Sequence, residues 1–374
     1  MCFRRPIACD ERAAERGNMK FSGIWPKRAK GYFLAILLCL PLKSLAQTPS
    51  ADIAVYAGTD RAQRLLEGAK KEGSLTLYSS LSPEEITAIG TAFEAKYGIK
   101  LQNWRGDSEN IVRRAVVEAR AGRYDVDVAE TSGTEMEALK RENLLRELRL
   151  PVFDDLLPQA IMPHRQWIAT RLIVFVAAYN TNIIKPADAP KTYEDLLDPK
   201  WKGKLGIESD DANWLMTAAD TLGRQKTEKL FRDIVTTNGM SVRKGHTLLA
   251  QLVVSGEVPL ALTAYVNRID QYKSRGAPVE PLFLSPVIAL PTGAGIMRNA
   301  PHPFAAVLFM DYLLSPEGQQ ILATLQSIPT NRKVPARGEG MGPLPELTFV
   351  DVPKLIDEGD KWTKLYRDIF NPAR

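Results

Sequence analysis

Residues 167–184 read WIATRLIVFVAAYNTNII, an eighteen-residue stretch dominated by β-branched, aromatic and other apolar side chains. Strands in globular proteins usually run about five or six residues, so this run is long for one strand in one sheet. It reads as a buried strand that passes out of a first sheet. A chain that leaves a sheet and later returns needs a second such segment; with 168–182 as the first crossing, 282–292, running into the apolar SPVIALPTGAGIM, fits the second. The sequence on either side then has to furnish two separate α/β regions.

Upstream of the first crossing it does so by alternation. SLTLYSS (74–80), IKLQNW (99–104) and YDVDVAET (124–131) are short β-prone runs. Between and after them lie the helical patterns SPEEITAIGTAFEAKYG (82–98), SENIVRRAVVEARAG (108–122) and GTEMEALKRENLL (133–145). The first of these carries its own start and stop signals, with Ser82 as N-cap, Pro83 at the first helical position, Glu85 at N3 and Gly98 at the end. Strands separated by helices imply right-handed crossovers and a parallel sheet covered on both faces. After the proline- and lysine-rich PADAPKTYEDLLDPKWKGK (186–204) the alternation resumes with KLGIES, ANWLMTAADTLG, TEKLFRDIVTTN, TLLAQLVVSG and VPLALTAY, the last ending at Tyr265. The amphipathic PFAAVLFMDYLL and PEGQQILATL follow the return crossing, then a Pro/Gly-rich surface loop at 334–347 and a last short helix near 359–370.

The first 46 residues read differently. Lys20, Lys27, Arg28 and Lys30 precede the apolar run Tyr32–Leu42, and SLA ends at Ala46. A basic segment, a short apolar segment and a small-residue site describe a secretory signal peptide, with Met19 as the expected start. The apolar run is about half of what spans a bilayer. Residues 1–46 hold nine of the 49 Lys/Arg and three of the 44 Asp/Glu, which leaves 40 basic against 41 acidic residues in the mature chain, a net charge near −1 instead of +5. The case for nucleic-acid binding leaves with the leader. All three cysteines, Cys2, Cys9 and Cys39, are also in it, so the mature chain has no disulfide and no thiolate metal site, which suits an oxidising compartment. His164, His246 and His302 show no metal-ligand spacing, and neither a Gly-x-Ser-x-Gly elbow nor a phosphate-cradling glycine loop is present, so the chain reads as a non-enzyme without cofactor.

Seven segments in order, LTLYSSLSPEE, FEAKYGIKL, VEARAGRYDVDV, AAYNTNII, DLLDPKWKGKLGI, VVSGEVPLALTAY and FMDYLLSPEGQQIL, resemble the solute-binding proteins of bacterial ABC importers, in the branch that includes the periplasmic ferric-ion binders. The resemblance implies a type II periplasmic-binding fold, two α/β lobes with a ligand cleft between them. Lobe one would be 47–177 plus 285–374, and lobe two 178–284. It further implies a periplasmic monomer that closes on a small-molecule solute and docks on a membrane permease. A sensor subunit with the same lobes is the competing role.

Ligands of open parallel sheets bind at the carboxyl ends of strands, beside helix N-termini. The loops so placed are 79–82, 104–108, 130–133, 208–213 and 265–268, and the candidate contacts are Ser79, Ser80, Arg105, Thr131, Ser132, Glu208, Asp210, Trp214, Tyr265 and Arg268. For iron, the resemblance implies a tyrosine pair at the strand end of EVPLALTAYVNR, with a histidine in the first loop and a glutamate in the third. Val266 and Asn267 stand at the pair's positions, Ser82 at the histidine's and Ser132 or Gly133 near the glutamate's. Ferric iron wants anionic oxygens, and this set supplies few. Hydroxyls, helix N-termini and arginines favour an anionic group. The expected ligand is therefore a small, acid-bearing organic solute, with ferric iron as the alternative.

Overall fold

The structure, a computed structural model, describes residues 52–371. The expected signal peptide, the start at Met19 and the three cysteines lie outside the described residues.

The first part of the chain forms α1 (Arg61–Glu72), β1 (Ser74–Ser79), α2 (Pro83–Tyr97), β2 (Lys100–Arg105), α3 (Ser108–Arg120), β3 (Val128–Ser132) and α4 (Gly133–Arg141). Then come β4 (Ile168–Asn180), β5 (Leu205–Glu208), α5 (Ala212–Leu222), α6 (Arg224–Asn238), β6 (Ser241–Arg243), α7 (His246–Ser255), β7 (Leu260–Tyr265) and α8 (Val266–Ser274). The chain ends with β8 (Val279–Leu282), β9 (Val287–Ile296), α9 (Pro303–Leu314), α10 (Pro316–Thr324), β10 (Ile328–Pro329), β11 (Leu347–Phe349) and α11 (Val352–Phe370). Local chemistry sets several boundaries. Ser82 and Glu85 close a capping box at the head of α2, and Gly98 ends that helix in the left-handed region at φ 71°.

The strand order is β2-β1-β3-β9-β4-β7-β5-β6. Each wing is parallel: β1 with β2 and β3 on one side, β5 with β6 and β7 on the other. The centre is not, because β9 runs antiparallel to both β3 and β4, and β7 antiparallel to β4. The purely parallel sheets expected from the alternation are thus interrupted where the crossing strands insert against their neighbours. The opening stretch is one strand shared by two sheets. Its Ile168–Val174 half pairs with β9, and its Phe175–Tyr179 half pairs with β7, with a register shift between Val176 and Ala178.

One apolar core, with Phe93, Trp167 and Phe309, fills the first lobe, and a second, with Phe175, Trp214 and Phe231, fills the other. The expectation that all of 285–374 belongs to lobe one does not fit α11. Its Trp362, Tyr366, Ile369 and Phe370 complete the second core beside Trp214 and Phe231, while Arg141 of α4 pairs with Asp357 at 2.6 Å. The helix presents a broad aromatic face, and the uncovered aromatics of α5 and α6 are where that face loses most water. The 330–346 segment is also tied across, since Arg337 grips Asp270 of α8 bidentately at 2.7 and 2.6 Å with both side chains buried.

Candidate functional site

A polar cleft of about 820 Å³ opens between the lobes. Ser80 and Ser82 come to it from the end of β1, Arg105 from the end of β2, and Arg171 from the first half of β4. Tyr265, Asn267, Arg268, Gln271 and Arg275 come from the end of β7 and from α8, and Gln326 and Ser327 from the turn after α10. This is the carboxyl-end position expected for an open α/β sheet. Tyr265 is the N-cap of α8 and offers no side-chain cap, so the first amides of that helix are left for other acceptors.

The cleft is electropositive. Arg105, Arg268 and Arg275 line it without an ion-pair partner among the described residues, against Glu84 and Glu85. Arg105 donates Nε–H to the Leu81 carbonyl at 2.7 Å, which fixes the root of its side chain and leaves the rest of the guanidinium directed outward. Arg171 is the hub. Its Nη1 meets Glu130 Oε1 at 3.2 Å, and Glu130 is fully buried with Oε2 unpartnered. Burial pushes the Glu130 carboxyl up, only partly opposed by Arg171. Burial works the same way on Glu85, but there Arg171 and the donors from Ser327 and Ser82 win and hold the carboxyl below its usual range.

Tyr265 stacks on His246, ring centroids 3.6 Å apart, and meets Phe175 edge-on. His246 in turn lies 3.2 Å from Asp211 Oδ1, and its Nδ1 is 3.1 Å from the Thr263 carbonyl. Glu208, at the end of β5, accepts from the backbone N–H groups of Gly245 and Asp210. Burial, then the charges of Asp211 and Glu208, drive the Tyr265 phenol well above its ordinary pKa, so it stays a neutral hydroxyl.

Of the ten residues expected at the site, Ser80, Arg105, Tyr265 and Arg268 line the cleft together. Ser79 does not: it is buried and donates to Asn103 Oδ1 at 2.8 Å, since the last residue of β1 still points into the sheet's packing. Thr131 is likewise buried in β3, and Ser132 is the N-cap of α4, its hydroxyl taken by Glu135. Glu208 is buried in the cluster around His246, and Asp210 is exposed on the neighbouring loop. Trp214 is a core residue, packed against Tyr193, Phe231 and Phe370 because it falls on the inward face of α5. Arg171, Ser82, Asn267 and Ser327 were not among the expected contacts. One signal for Arg171 was present, a lone charge inside an apolar run, where a buried cation demands a partner.

Residues 88–341 match the family model described as bacterial extracellular solute-binding protein. The chain belongs to that family. Its members are the binding components of ABC importers, which take small solutes outside the cytoplasm and hand them to a permease, and its homologues are transport proteins and not enzymes. Among curated relatives, the chain is similar to iron uptake protein A1 of Synechocystis sp., 24% identical over 324 residues, or 80% of this chain and 85% of that one. Among solved structures, a Trichodesmium protein in complex with iron and citrate ligands superposes with a TM-score of 0.70 at 21% identity, covering 80% of this chain and all of that one. A periplasmic binding protein of Actinobacillus pleuropneumoniae with exogenous fructose-6-phosphate bound gives 0.63 at 21%, over 81% of this chain and all of that one. These likenesses establish the type II periplasmic-binding fold. Among the described residues, no helix is long and apolar enough to cross a membrane.

Proposed function

We propose that this chain is the periplasmic binding component of an iron importer and captures ferric iron together with an acid-bearing chelator such as citrate. The observation that carries the reading is the cleft's charge: Arg105, Arg171, Arg268 and Arg275 face a space bounded by only two carboxylates. Fe(III) needs anionic oxygens. A cleft that supplies cations suits an ion that brings its oxygens with it, the guanidiniums gripping the outer carboxylates of the complex. The names of the relatives support iron over the metal-free organic acid expected from the residues alone. Bound complex would bridge lobe-one groups (Ser80, Arg105) and lobe-two groups (Tyr265, Arg268), and the closed form would be favoured by those extra contacts alone.

The test is titration of the purified mature chain, by calorimetry and thermal shift, with ferric citrate, citrate alone and a sugar phosphate. Micromolar or tighter binding of ferric citrate, with citrate alone at least tenfold weaker, is the expected result. Equal binding of citrate with and without iron would return the reading to a metal-free anionic solute, which Val266 and Asn267 at the head of α8, where a tyrosine pair would sit, favour.

A further inference from the structure

Behind Tyr265, and independent of what the cleft captures, three side chains from three elements converge. Glu208 ends β5, Asp211 precedes α5 and His246 begins α7, and one donor atom from each lies within 4.8 Å of the others. Two features of the geometry exceed what a buried ion pair requires. Asp211 occupies an N-cap position, yet makes no capping bond; its carboxylate turns from the helix toward His246, and its second oxygen, Oδ2, is buried without a partner. An aspartate at that position ordinarily spends its carboxylate on the helix's free amides, and here it does not. His246 is held from the other side, its Nδ1 3.1 Å from the Thr263 carbonyl. A backbone carbonyl can only accept, so Nδ1 carries the proton, and Nε2 is the nitrogen aimed at Asp211. A carbonyl on one ring nitrogen that orients the other is the usual outer support of a metal-ligating histidine.

We propose that Glu208, Asp211 and His246 bind one first-row divalent cation of the zinc type. Two carboxylates and a neutral imidazole hold a dication at net zero charge. The mixed nitrogen and oxygen set suits zinc and disfavours magnesium or calcium, which take oxygen ligands. Ligands about 2.0–2.2 Å from a tetrahedral zinc lie roughly 3.3–3.6 Å from one another. The Asp211–His246 separation of 3.2 Å is just under that, and the wider spacing to Glu208, within 4.8 Å, would close by movement of a carboxylate that now accepts from Gly245 and Asp210. His246 retains 16% side-chain exposure, which gives an ion its way in. Tyr265, stacked on His246 and lining the cleft, would couple the bound ion to the ligand face.

The experiment uses the mature chain stripped of metal with a chelator, titrated with Zn²⁺ by calorimetry and weighed by native mass spectrometry. One equivalent is expected at micromolar or tighter affinity, undisturbed by millimolar Mg²⁺, and Co²⁺ in its place should give visible absorption of a nitrogen- and oxygen-bound ion. Asp211→Asn, which keeps the shape, and His246→Ala should each weaken Zn²⁺ at least tenfold, with circular dichroism to confirm the fold. Arg268→Ala should leave Zn²⁺ binding unchanged while weakening the cleft's ligand, so that loss of one binding event is separable from loss of the other. No stoichiometric Zn²⁺ on the wild-type chain, or equal affinity in folded Asp211→Asn, would overturn the site and leave a structural ion pair.

Discussion

Arg171→Met is the substitution that most directly interrogates the centre of the molecule. Arg171 sits in the strand shared by both lobes and is the partner of Glu130, whose carboxylate is fully buried. Without the guanidinium, Glu130 has two ways to exist: as an unpaired buried anion, which costs about 3–5 kcal/mol, or as a neutral acid. The neutral form sets a ceiling. Protonating a carboxyl of ordinary pKa 4.5 at pH 7.0 spans 2.5 pH units, and at 1.36 kcal/mol each that is about 3.4 kcal/mol. The same reckoning at pH 5.5 gives about 1.4 kcal/mol. A carboxyl whose folded pKa lies above its unfolded value contributes stability that is full in acid and lost as pH rises. The variant's deficit should therefore be largest near neutrality, at most about 3.4 kcal/mol, and should shrink by more than half on acidification to pH 5.5. Urea unfolding of both proteins at the two pH values measures it. Adding Glu130→Gln should recover much of the loss at pH 7, since the fully buried charge is then gone and only Glu85, which keeps its donors from Ser82 and Ser327, has lost its cation. A deficit that is independent of pH, or that Glu130→Gln fails to relieve, would refute the electrostatic account and make Arg171 a packing residue.

Three further outcomes are expected. Glu85→Gln keeps the capping geometry but removes the charge facing Arg171, so it should cost about 1 kcal/mol at pH 7; because the Glu85 carboxyl is held below its usual range, wild type and variant should converge in stability as pH falls below about 4.5, read from acid unfolding curves. Trp214→Phe should lower stability by about 1–3 kcal/mol in thermal unfolding while leaving ligand affinity unchanged, since its ring meets Tyr193, Phe231 and Phe370 and not the cleft. Arg268→Ala should do the reverse: its side chain is exposed and, among the described residues, bonds only Gln271, so stability should hold within about 0.5 kcal/mol while affinity for ferric citrate falls about tenfold to a hundredfold, as expected for a charge-assisted contact.

The fold was legible in the sequence wherever local chemistry and global topology agree. The capping box at Ser82 and Glu85, the glycine at 98 and the long apolar run through Ile168–Asn180 each fix an element by short-range rules, and the structure contains all three. The last helix was read correctly as a helix and assigned to the wrong lobe, because an amphipathic face states that it wants a partner and does not name which. The candidate cleft was legible for four of the ten expected residues. Strand ends and helix starts located Ser80, Arg105, Tyr265 and Arg268. Side-chain direction at those ends misled for Ser79, Thr131 and Trp214, because one residue along a strand, or one step around a helix, turns a ligand contact into a core contact. The grouping of His246 with Glu208 and Asp211 had no linear signature at all. His246 lies 35 positions beyond Asp211 and 38 beyond Glu208, and it meets them only because parallel strands bring the loops after β5 and those before α7 to one edge.

The placement of α11 has a consequence for when the molecule becomes a folded object. Chains emerge from the ribosome N-terminus first and domains usually fold as units in that order. Here Trp362, Tyr366, Ile369 and Phe370, the final turns of the last helix, are the lid of a core whose other walls, Trp214 and Phe231, were made some 130 residues earlier. That core stays open, with its aromatics wet, until α11 has been made and docked. The second lobe therefore closes through a contact of very high sequence separation, the kind whose loop-closure entropy slows folding.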